Sequence, residues 1–266
     1  MKKTVIVTGG TFGIGAGITL GLARKGWQVV AFGLESAQVS STARDGIPAL
    51  RAELEREGLQ ADLLEADVSS AKDVGRVVAH VMERYGRVDG LVNNAAIGPL
   101  GTVLDTPEEL WDRILAVNLK GVYLCAREVI PHMDRQGGGS IVNVGSGAGW
   151  GKPNMAAYAA SKGAMVTLSA AMAYDHFHQH VRVNTVIPGG GGIVTGMSVG
   201  RVGGDPSKFG HNAVGSAAGR PVVPQDMANA VAFLLSDEAA TISGTVLDVG
   251  CFFHQGGPVP PRPASA

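Results

Sequence analysis

The chain has 266 residues, of which 45% are hydrophobic and 17% charged, and its formal net charge at pH 7 is -1. A chain of this length and composition can bury a substantial core as one α/β domain. Its near-neutral charge offers no basic surface for nucleic acid or an anionic membrane, and no apolar run is long enough to cross a bilayer. We therefore expect a cytoplasmic protein with neither of these partners.

Seven short runs rich in β-branched residues alternate with longer helical patterns along the chain. The predicted strands are 4–7, 28–32, 61–65, 90–92, 140–144, 182–186 and 245–249, and a helix-forming stretch covers 47–58. Such alternation predicts a parallel, doubly wound sheet of the Rossmann type, with helices on both faces. In sheets of this kind a cofactor lies across the carboxyl ends of the strands.

The first predicted strand leads into a glycine-rich turn, Thr8-Gly-Gly-Thr-Phe-Gly-Ile-Gly15, and then into an apolar helical pattern. In this context backbone amides and a helix N-terminus can approach a pyrophosphate. The spacing of Gly9, Gly13 and Gly15 differs from the GxGxxG of the common dinucleotide fingerprint. On these residues alone, a turn that only packs a helix against a strand stays open as an alternative.

Tyr158 and Lys162 are four residues apart, and Ser146 precedes the tyrosine by twelve residues. If the pair lies on a helix, both side chains share one face, so the ammonium can favour the phenolate. A free phenol titrates near pH ~10, and a neighbouring cation makes it a better acid and base at neutral pH. The Ser146 hydroxyl can then hold a substrate oxygen beside the phenol. A solvated helix face is the alternative for an isolated pair at this spacing.

These residues belong to a longer series of motifs. The series comprises Thr8-Gly-xxx-Gly13-Ile14-Gly15, Asp67-Val68, Asn93-Asn94-Ala95, Asn118, Ser146, Tyr158-xxx-Lys162, Pro188-Gly189 and Gly219-Arg220-Pro221. In order and approximate spacing it resembles the classical short-chain dehydrogenase/reductase family over nearly the whole chain. The resemblance implies an NAD(P)-dependent enzyme that interconverts a secondary alcohol and a ketone by hydride transfer. It also implies one catalytic domain over residues 1–250.

The resemblance assigns catalytic roles to Asn118, Ser146, Tyr158 and Lys162. It implies that Tyr158 is the general acid and base, that Ser146 positions the substrate oxygen, and that Asn118 holds a water in the proton path. Lys162 would favour the phenolate and hold the nicotinamide ribose. An amide that only bonds helix carbonyls is the alternative for Asn118. Gly145 stands where many relatives have a first serine.

A larger group of residues is implied as cofactor ligands. They are Gly9, Thr11, Gly13, Ile14, Gly15, Glu35, Asp67, Val68, Asn94, Ala95, Tyr158, Lys162, Pro188, Gly189 and Thr195. The end of the second strand decides between NAD and NADP, because a carboxylate there binds the ribose hydroxyls and an arginine pairs with the 2′-phosphate. Gly33 takes the usual acidic position, which leaves Glu35 and Arg44 as candidates.

The glycine turn carries no Arg or Lys, which favours NAD over NADP. Two ligands keep a structural alternative on sequence grounds. Glu35 fits a solvated loop equally well, and Asp67 can cap the helix that starts at Ser69 or Ser70.

Residues from about 190 to 215 stand where the family has a substrate lid. The expected lining is Met197, Val199 and Phe209, with polar contacts from Arg201, Lys208 and His211. Prolines prevent the tail, residues 251–266, from forming a helix or a central strand. The resemblance further implies a homotetramer and a small alcohol or ketone as substrate.

Two widely separated cysteines, Cys125 and Cys251, indicate reduced packing residues rather than a disulfide framework. His176 and His180 share a helix face without a third ligand at a sensible spacing, so no metal site is expected. The alternative to an enzyme is a catalytically silent NAD(P)-binding regulatory or scaffold protein. Loss of Tyr158 or Lys162 would be its signature, and both are present.

Overall fold

The structure is a computed structural model that describes residues 2–35, 46–189, 193, 195–201, 216 and 218–250. At its centre lies a parallel sheet of seven strands in the order β3-β2-β1-β4-β5-β6-β7. The strands are β1 (Thr4–Thr8), β2 (Gln28–Gly33), β3 (Ala61–Glu65), β4 (Gly90–Asn93), β5 (Gly139–Val144), β6 (Val181–Pro188) and β7 (Val246–Val249). The strand order reverses between β1 and β4, which confirms the predicted doubly wound sheet.

Eight α-helices in the described part of the chain accompany the strands. They are α1 (Gly13–Arg24), α2 (Ile47–Arg56), α3 (Ala71–Tyr85), α4 (Glu108–Leu115), α5 (Gly121–Arg135), α6 (Ala156–Asp175), α7 (Gly196–Arg201) and α8 (Pro224–Leu235). A π-helical turn, Ala116–Lys120, joins α4 to α5, and a 3₁₀ helix, Gly147–Trp150, follows β5. Of the predicted catalytic residues, Asn118 lies within the π-helical turn, and Ser146 directly precedes the 3₁₀ helix as its N-cap.

Alternate residues of the strands point into two cores, one on each face of the sheet. In β1, Ile6 packs with α3, α5 and α6, whereas Val5 and Val7 pack on the other side with α1 and α8. Since both faces of the central strands are buried, these strands are continuous apolar runs rather than polar and apolar alternations. Helices therefore cover both faces of the sheet, which confirms that part of the prediction.

Helix α3 shows how the sequence sets one of these layers. Its valines at helical spacing, among them Val74 and Val81, are buried against the sheet. Ser70 begins the helix by accepting a hydrogen bond from the Asp73 amide, and Gly86 ends it with a left-handed φ of 68°. The cap therefore comes from Ser70, and not from Asp67 as one alternative proposed.

The seven predicted strands are confirmed with ends that differ by at most two residues. The largest difference is at β6, which continues to Pro188 because that residue still pairs with Val249 of β7. The stretch predicted helical over 47–58 forms α2 and then turns at Gly58, whose φ is +67°. A single catalytic domain over residues 1–250 stays a prediction, and the tail, residues 251–266, lies outside the described residues.

Cys125 is buried in α5, where burial raises the pKa of its thiol to about 12. This agrees with a packing role, while Cys251 lies outside the described residues. The part of the chain that the structure describes contains no group of His, Cys, Asp or Glu side chains that could hold a metal ion. No helix in the same part has the length and hydropathy needed to cross a membrane.

Candidate active site

The glycine turn lies between β1 and α1 and admits no larger residue at its key positions. A Cβ added to Gly15 would overlap the carbonyl oxygen of Gly9, and one added to Gly9 would come within 2.8 Å of Ala95 Cα. Gly9 and Gly13 also have φ of +57° and +46°, in the region that favours glycine. These contacts fix the turn as a close-packed backbone surface.

The first turn of α1 has no side-chain cap in the described structure. The N-cap residue is Phe12, which has no side-chain acceptor, so among the described residues no side chain caps the amides of Gly13, Ile14 and Gly15. Free amides at a helix N-terminus favour an anionic group. Together with the glycine contacts, this geometry fits the pyrophosphate of a dinucleotide.

The loop after β4 is fastened to the glycine turn. The side-chain nitrogen of Asn94 donates to the carbonyls of Gly9 (2.9 Å) and Thr8 (3.1 Å). In return Thr8 Oγ1 accepts from the backbone amides of Asn94 and Ala95, each at 3.0 Å. Asn94 and Ala95 thus lie beside the turn at the point where the strand order reverses.

The end of β2 explains why Gly33 carries no carboxylate. A Cβ at Gly33 would lie 2.6 Å from Thr11 Oγ1, and this hydroxyl is buried with no partner in the described structure. Glu35 lies nearby, where its Oε1 accepts a hydrogen bond of 2.5 Å from the Ile47 amide. Its carboxylate therefore caps the N-terminus of α2 instead of being only solvated. Arg44 lies outside the described residues.

Asp67 follows β3 and is held by several donors. The amide and hydroxyl of Ser69 donate to Asp67 Oδ1 at 2.8 and 2.7 Å, and Arg113 Nη2 lies 3.1 Å from Oδ2. Burial opposes ionisation, but the Ser69 hydrogen bonds and the Arg113 charge outweigh it and lower the pKa of Asp67. Val68 is buried against Gly121 at the start of α5. These contacts hold both residues at the edge of the cofactor region.

Asn118 is fully buried in the π-helical turn between α4 and α5. Its Nδ2 donates to Ile97 O (2.9 Å) and Ser161 Oγ (3.0 Å), and its Oδ1 accepts from Ile97 N (2.9 Å). The Ser161 hydroxyl in turn donates to Tyr158 O at 2.7 Å. The amide therefore ties the loop after β4 to α6, and its partners are not helix carbonyls of its own segment. Wider helical turns of this kind are frequent at functional sites.

Tyr158 and Lys162 lie one turn apart on α6, and their exposed fractions are only 6% and 2%. Lys162 Nζ is 6.0 Å from the centre of the Tyr158 ring and donates a 2.8 Å hydrogen bond to Val144 O at the end of β5. Burial, with a smaller contribution from the Arg201 charge, lowers the pKa of Lys162 to about 7. A solvated helix face is excluded for this pair.

Ser146 lies at the carboxyl end of β5 as the N-cap of the 3₁₀ helix, where its Oγ accepts from Ala148 N at 3.2 Å. That helix packs on α6 through a glycine pair, since a Cβ on Gly149 would lie 3.0 Å from Gly163 N. Ser146 is thereby held on the same sheet edge as Tyr158. The glycine that follows β5, Gly145, bonds back to Val186 O of β6.

The segment after β6 returns to the glycine turn. Gly189 N donates to Val249 O at 2.9 Å, and Thr195 Cβ lies 3.2 Å from the position of a Cβ on Gly13. Helix α7 starts at the next residue and ends at Arg201, whose guanidinium carbon is 4.7 Å from the Tyr158 ring centre. Sequence reasoning named Arg201 only as a lid contact and missed this stacking, for which the sequence carries no signal.

Of the other predicted lid residues, Met197 is half-buried and Val199 is 8% exposed, both in α7. Lys208, Phe209 and His211 lie outside the described residues. The structure thus brings the glycine turn, Asn94, Ser146, the Tyr158 and Lys162 pair and Thr195 to one edge of the sheet. Their chemical roles stay predictions at this point.

Comparisons with known proteins identify the family. The family model described as enoyl-(acyl carrier protein) reductase matches residues 9–251. A 2-(S)-hydroxypropyl-CoM dehydrogenase of Xanthobacter autotrophicus is 38% identical, over 93% of this chain and 95% of its own. The chain belongs to the short-chain dehydrogenase/reductase family.

Two further relatives support this. A 3-oxoacyl-[acyl-carrier-protein] reductase of Thermotoga maritima is 34% identical, over 93% of this chain and 96% of its own. A crystal structure of a short-chain dehydrogenase/reductase from Burkholderia xenovorans superposes with a TM-score of 0.81 at 30% identity, covering 93% of this chain and 94% of its own. This short-chain dehydrogenase/reductase is therefore an enzyme of an oxidoreductase family whose members use NAD(P).

Proposed function

We propose that this enzyme interconverts a secondary alcohol and a ketone, with NAD as hydride carrier and Tyr158 as general acid and base. The observation that supports this most directly is Lys162, a buried amine beside the Tyr158 ring. Burying an amine in this way costs free energy. A lysine with only a structural role gives no reason for that cost, whereas buried lysines with shifted pKa values are common at catalytic sites.

The proton chemistry falls to three side chains. When bound, NAD would supply the hydride chemistry at the carbinol carbon, as acceptor in oxidation and, in its reduced form, as donor in reduction. In oxidation Tyr158 Oη takes the hydroxyl proton, and in reduction it protonates the ketone oxygen. Ser146 holds that oxygen by a hydrogen bond, and the ammonium form of Lys162 favours the phenolate. The alcohol thus loses one hydride and one proton, and a ketone results.

Asn118 would support catalysis without contacting the reacting atoms itself. Its amide bonds Ile97 and Ser161 and so fixes the backbone beside Tyr158. In the family this residue holds a water that connects Lys162 with solvent. Its position in a buried π-helical turn supports that role, because turns of this kind are frequent at functional sites.

The cofactor ligands divide by the part of NAD that they would hold. Gly9, Gly13, Ile14 and Gly15 would contact the pyrophosphate, Asn94 and Ala95 a ribose, and Asp67 and Val68 the adenine. Pro188, Gly189 and Thr195 would pack on the nicotinamide side, and Lys162 and Tyr158 on the nicotinamide ribose. The amides free at the start of α1 supply the electrostatic part of this binding.

NAD is favoured over NADP by what lies beside the Thr11 backbone. Thr11 O accepts from Gly46 N at 3.2 Å, and Glu35 Oε1 accepts from the next amide, so a carboxylate lies close to this part of the glycine turn. A 2′-phosphate brought here would meet that negative charge, whereas ribose hydroxyls can donate to it. Thr11 Oγ1, buried beside Gly33, is a second polar group here and has no partner in the described structure.

Separate titrations of the purified protein with NADH and NADPH test the cofactor part, with energy transfer from tryptophan as the signal. We expect tighter binding of NADH. Tighter binding of NADPH would contradict the assignment of Glu35, and binding of neither to folded protein would contradict the function itself. A catalytically silent binding protein is disfavoured because Ser146, Tyr158 and Lys162 are all in place.

We also propose a homotetramer in the cytoplasm, acting on a small alcohol or ketone under a lid formed by residues from about 190 to 215. Large apolar side chains on two helices support an assembly, because Tyr123 of α5 and Phe233 of α8 are 46% and 39% exposed. Light scattering coupled to size-exclusion chromatography measures the assembly directly. A monomer at micromolar concentration would contradict it.

A further inference from the structure

Arg201 lies directly on the ring of Tyr158. Its Nε donates a 2.8 Å hydrogen bond to Gly98 O, and its guanidinium carbon is 4.7 Å from the centre of the tyrosine ring. A guanidinium at this distance over an aromatic ring makes a favourable cation–π contact. The last residue of α7 thus reaches over the side chain that the proposed function makes the acid and base.

The remaining edge of this guanidinium has an unused donor. Arg201 Nη2 is buried and has no hydrogen-bond partner in the part of the chain that the structure describes. Other arginines there are paired with carboxylates, as Arg87 is with Asp89 and Arg220 with Asp226. A buried donor on a charged group is costly when it stays unpaired, so a missing acceptor is expected.

Gly98 keeps the guanidinium in this place. A Cβ on Gly98 would overlap Arg201 Nη2 and would lie 2.9 Å from Tyr158 Cδ2. The absence of a side chain at Gly98 therefore allows the arginine, the tyrosine and the loop after β4 to meet. With Nε bonded to the Gly98 carbonyl and one face on the ring, the direction of Nη2 is set before any ligand arrives.

We propose that Arg201 is a specificity-determining residue that binds a singly charged oxyanion of the substrate, a carboxylate in the simplest case. The inference rests on the proposed function, since it takes Tyr158 to be the place of the reacting oxygen. Because the guanidinium covers the ring of Tyr158, the charged group must lie only a few bonds from the carbinol carbon. The substrate class is then a short hydroxy acid and the corresponding oxo acid.

The charge on Arg201 also acts on Lys162. It is the second cause, after burial, of the lowered pKa of that amine. An oxyanion bound to Arg201 would offset this repulsion and favour the ammonium form of Lys162. Binding of a charged substrate and protonation of the amine that supports Tyr158 would therefore assist each other.

Calorimetry on the holoenzyme tests the proposal. The enzyme is saturated with oxidised cofactor, so that a ketone binds without turnover, and is titrated with acetoacetate, with its uncharged methyl ester and with the longer acid levulinate. Wild type should bind acetoacetate at least about tenfold more tightly than the ester, as expected for a charge-assisted hydrogen bond. Levulinate, with its charge one carbon further away, should bind less tightly than acetoacetate.

Two variants and a control complete the design. R201M should lose the preference for acetoacetate while its affinity for the ester stays unchanged. R201K should keep part of the preference, because lysine keeps the charge without the planar fork. R127M is the matched control, since Arg127 makes the same kind of contact on an exposed tyrosine, 6.0 Å above the Tyr123 ring. It should bind every ligand as wild type does.

The proposal is overturned if wild type does not bind acetoacetate or does not prefer it to the ester, or if R201M weakens both ligands equally. Failure of the proposed function shows elsewhere. Turnover of neutral ketones that survives in Y158F would refute the role of Tyr158 and leave the calorimetric preference for an anion intact.

Discussion

The two halves of the site are built differently. On the cofactor side, Gly9 and Gly15 press backbone against backbone, and Asn94 locks the neighbouring loop to the turn. On the substrate side, one long side chain, Arg201, spans from a six-residue helix to the Tyr158 ring and keeps a donor unpaired in the described structure. In the function proposed above, the cofactor would thus be held by backbone geometry, and the substrate would be selected by a side chain.

Tyr158 lies between the two halves, and its replacement should have the largest effect on turnover. In Y158F the phenolic oxygen that exchanges the proton is absent, so kcat should fall by about 10²- to 10⁴-fold. NADH binding should stay near that of wild type, because the ring and the Lys162 amine remain. The measurement is the rate of NADH formation or consumption together with a binding titration.

Tyr174 provides the matched control, since it lies on the same helix and is 85% exposed. Y174F should keep wild-type activity. If Y158F retained more than about a tenth of the wild-type rate, general acid–base catalysis by this residue would be refuted, because that contribution is expected to be 10²- to 10⁴-fold.

Cofactor binding should be weakened by the addition of a single methyl group to the glycine turn. In G15A the added carbon meets the Gly9 carbonyl oxygen, so the turn must open and NADH affinity should fall by roughly 100-fold, about 2.7 kcal/mol. Gly75 in α3 is the control, because a Cβ there meets nothing within 4 Å. G75A should bind NADH normally and gain up to about 1 kcal/mol of stability. Equal NADH affinity in G15A and wild type would show that the close contact does not matter for binding.

Lys162 links stability to pH, and the sign follows from its lowered pKa. In the unfolded chain the amine titrates near pH ~10.4, whereas in the folded protein its pKa is about 7. Between these values the unfolded state holds more protons, so stability rises with pH and its contribution is lost as pH falls toward 7. Relative to K162M, the apoprotein should gain roughly 2 kcal/mol between about pH 7 and about pH 9.

Denaturant unfolding of both proteins at several pH values measures this difference. K25M serves as the control, since Lys25 is exposed at the end of α1 and should follow the wild-type curve. Parallel curves for K162M and wild type would mean that the amine stays charged in the folded protein.

Much of the fold and of the cofactor side could be predicted from the sequence. The β-branched runs lie at strand positions because both faces of the sheet are buried. Glycine is required at positions 9 and 15 by contacts that exclude a side chain, and at position 13 by a positive φ. Likewise, the four-residue spacing of Tyr158 and Lys162 places both side chains on one face of a helix. In each case the pattern is local, so a short stretch of sequence contains it.

The substrate side could not be predicted in this way. Arg201 and Gly98 are 103 residues apart, and no periodicity connects them. The same is true of Asn118 and Ser161, which are 43 residues apart in the sequence and 3.0 Å apart in the fold. Such pairs depend on how α6 and α7 pack, which the sequence pattern does not specify.

The smallest expected effect is at Glu35, where variants test whether its carboxylate only caps α2 or also binds the cofactor ribose. Its carboxylate caps α2, so E35A should lose about 1 kcal/mol of stability. E35Q keeps an oxygen that accepts from Ile47 N and should recover most of that loss. If the carboxylate also binds the ribose, E35Q should still bind NADH a few-fold more weakly and discriminate less against NADPH. Wild-type affinities for both cofactors in E35Q would mean that Glu35 serves α2 alone, and cofactor choice would then rest on Thr11 and its neighbours.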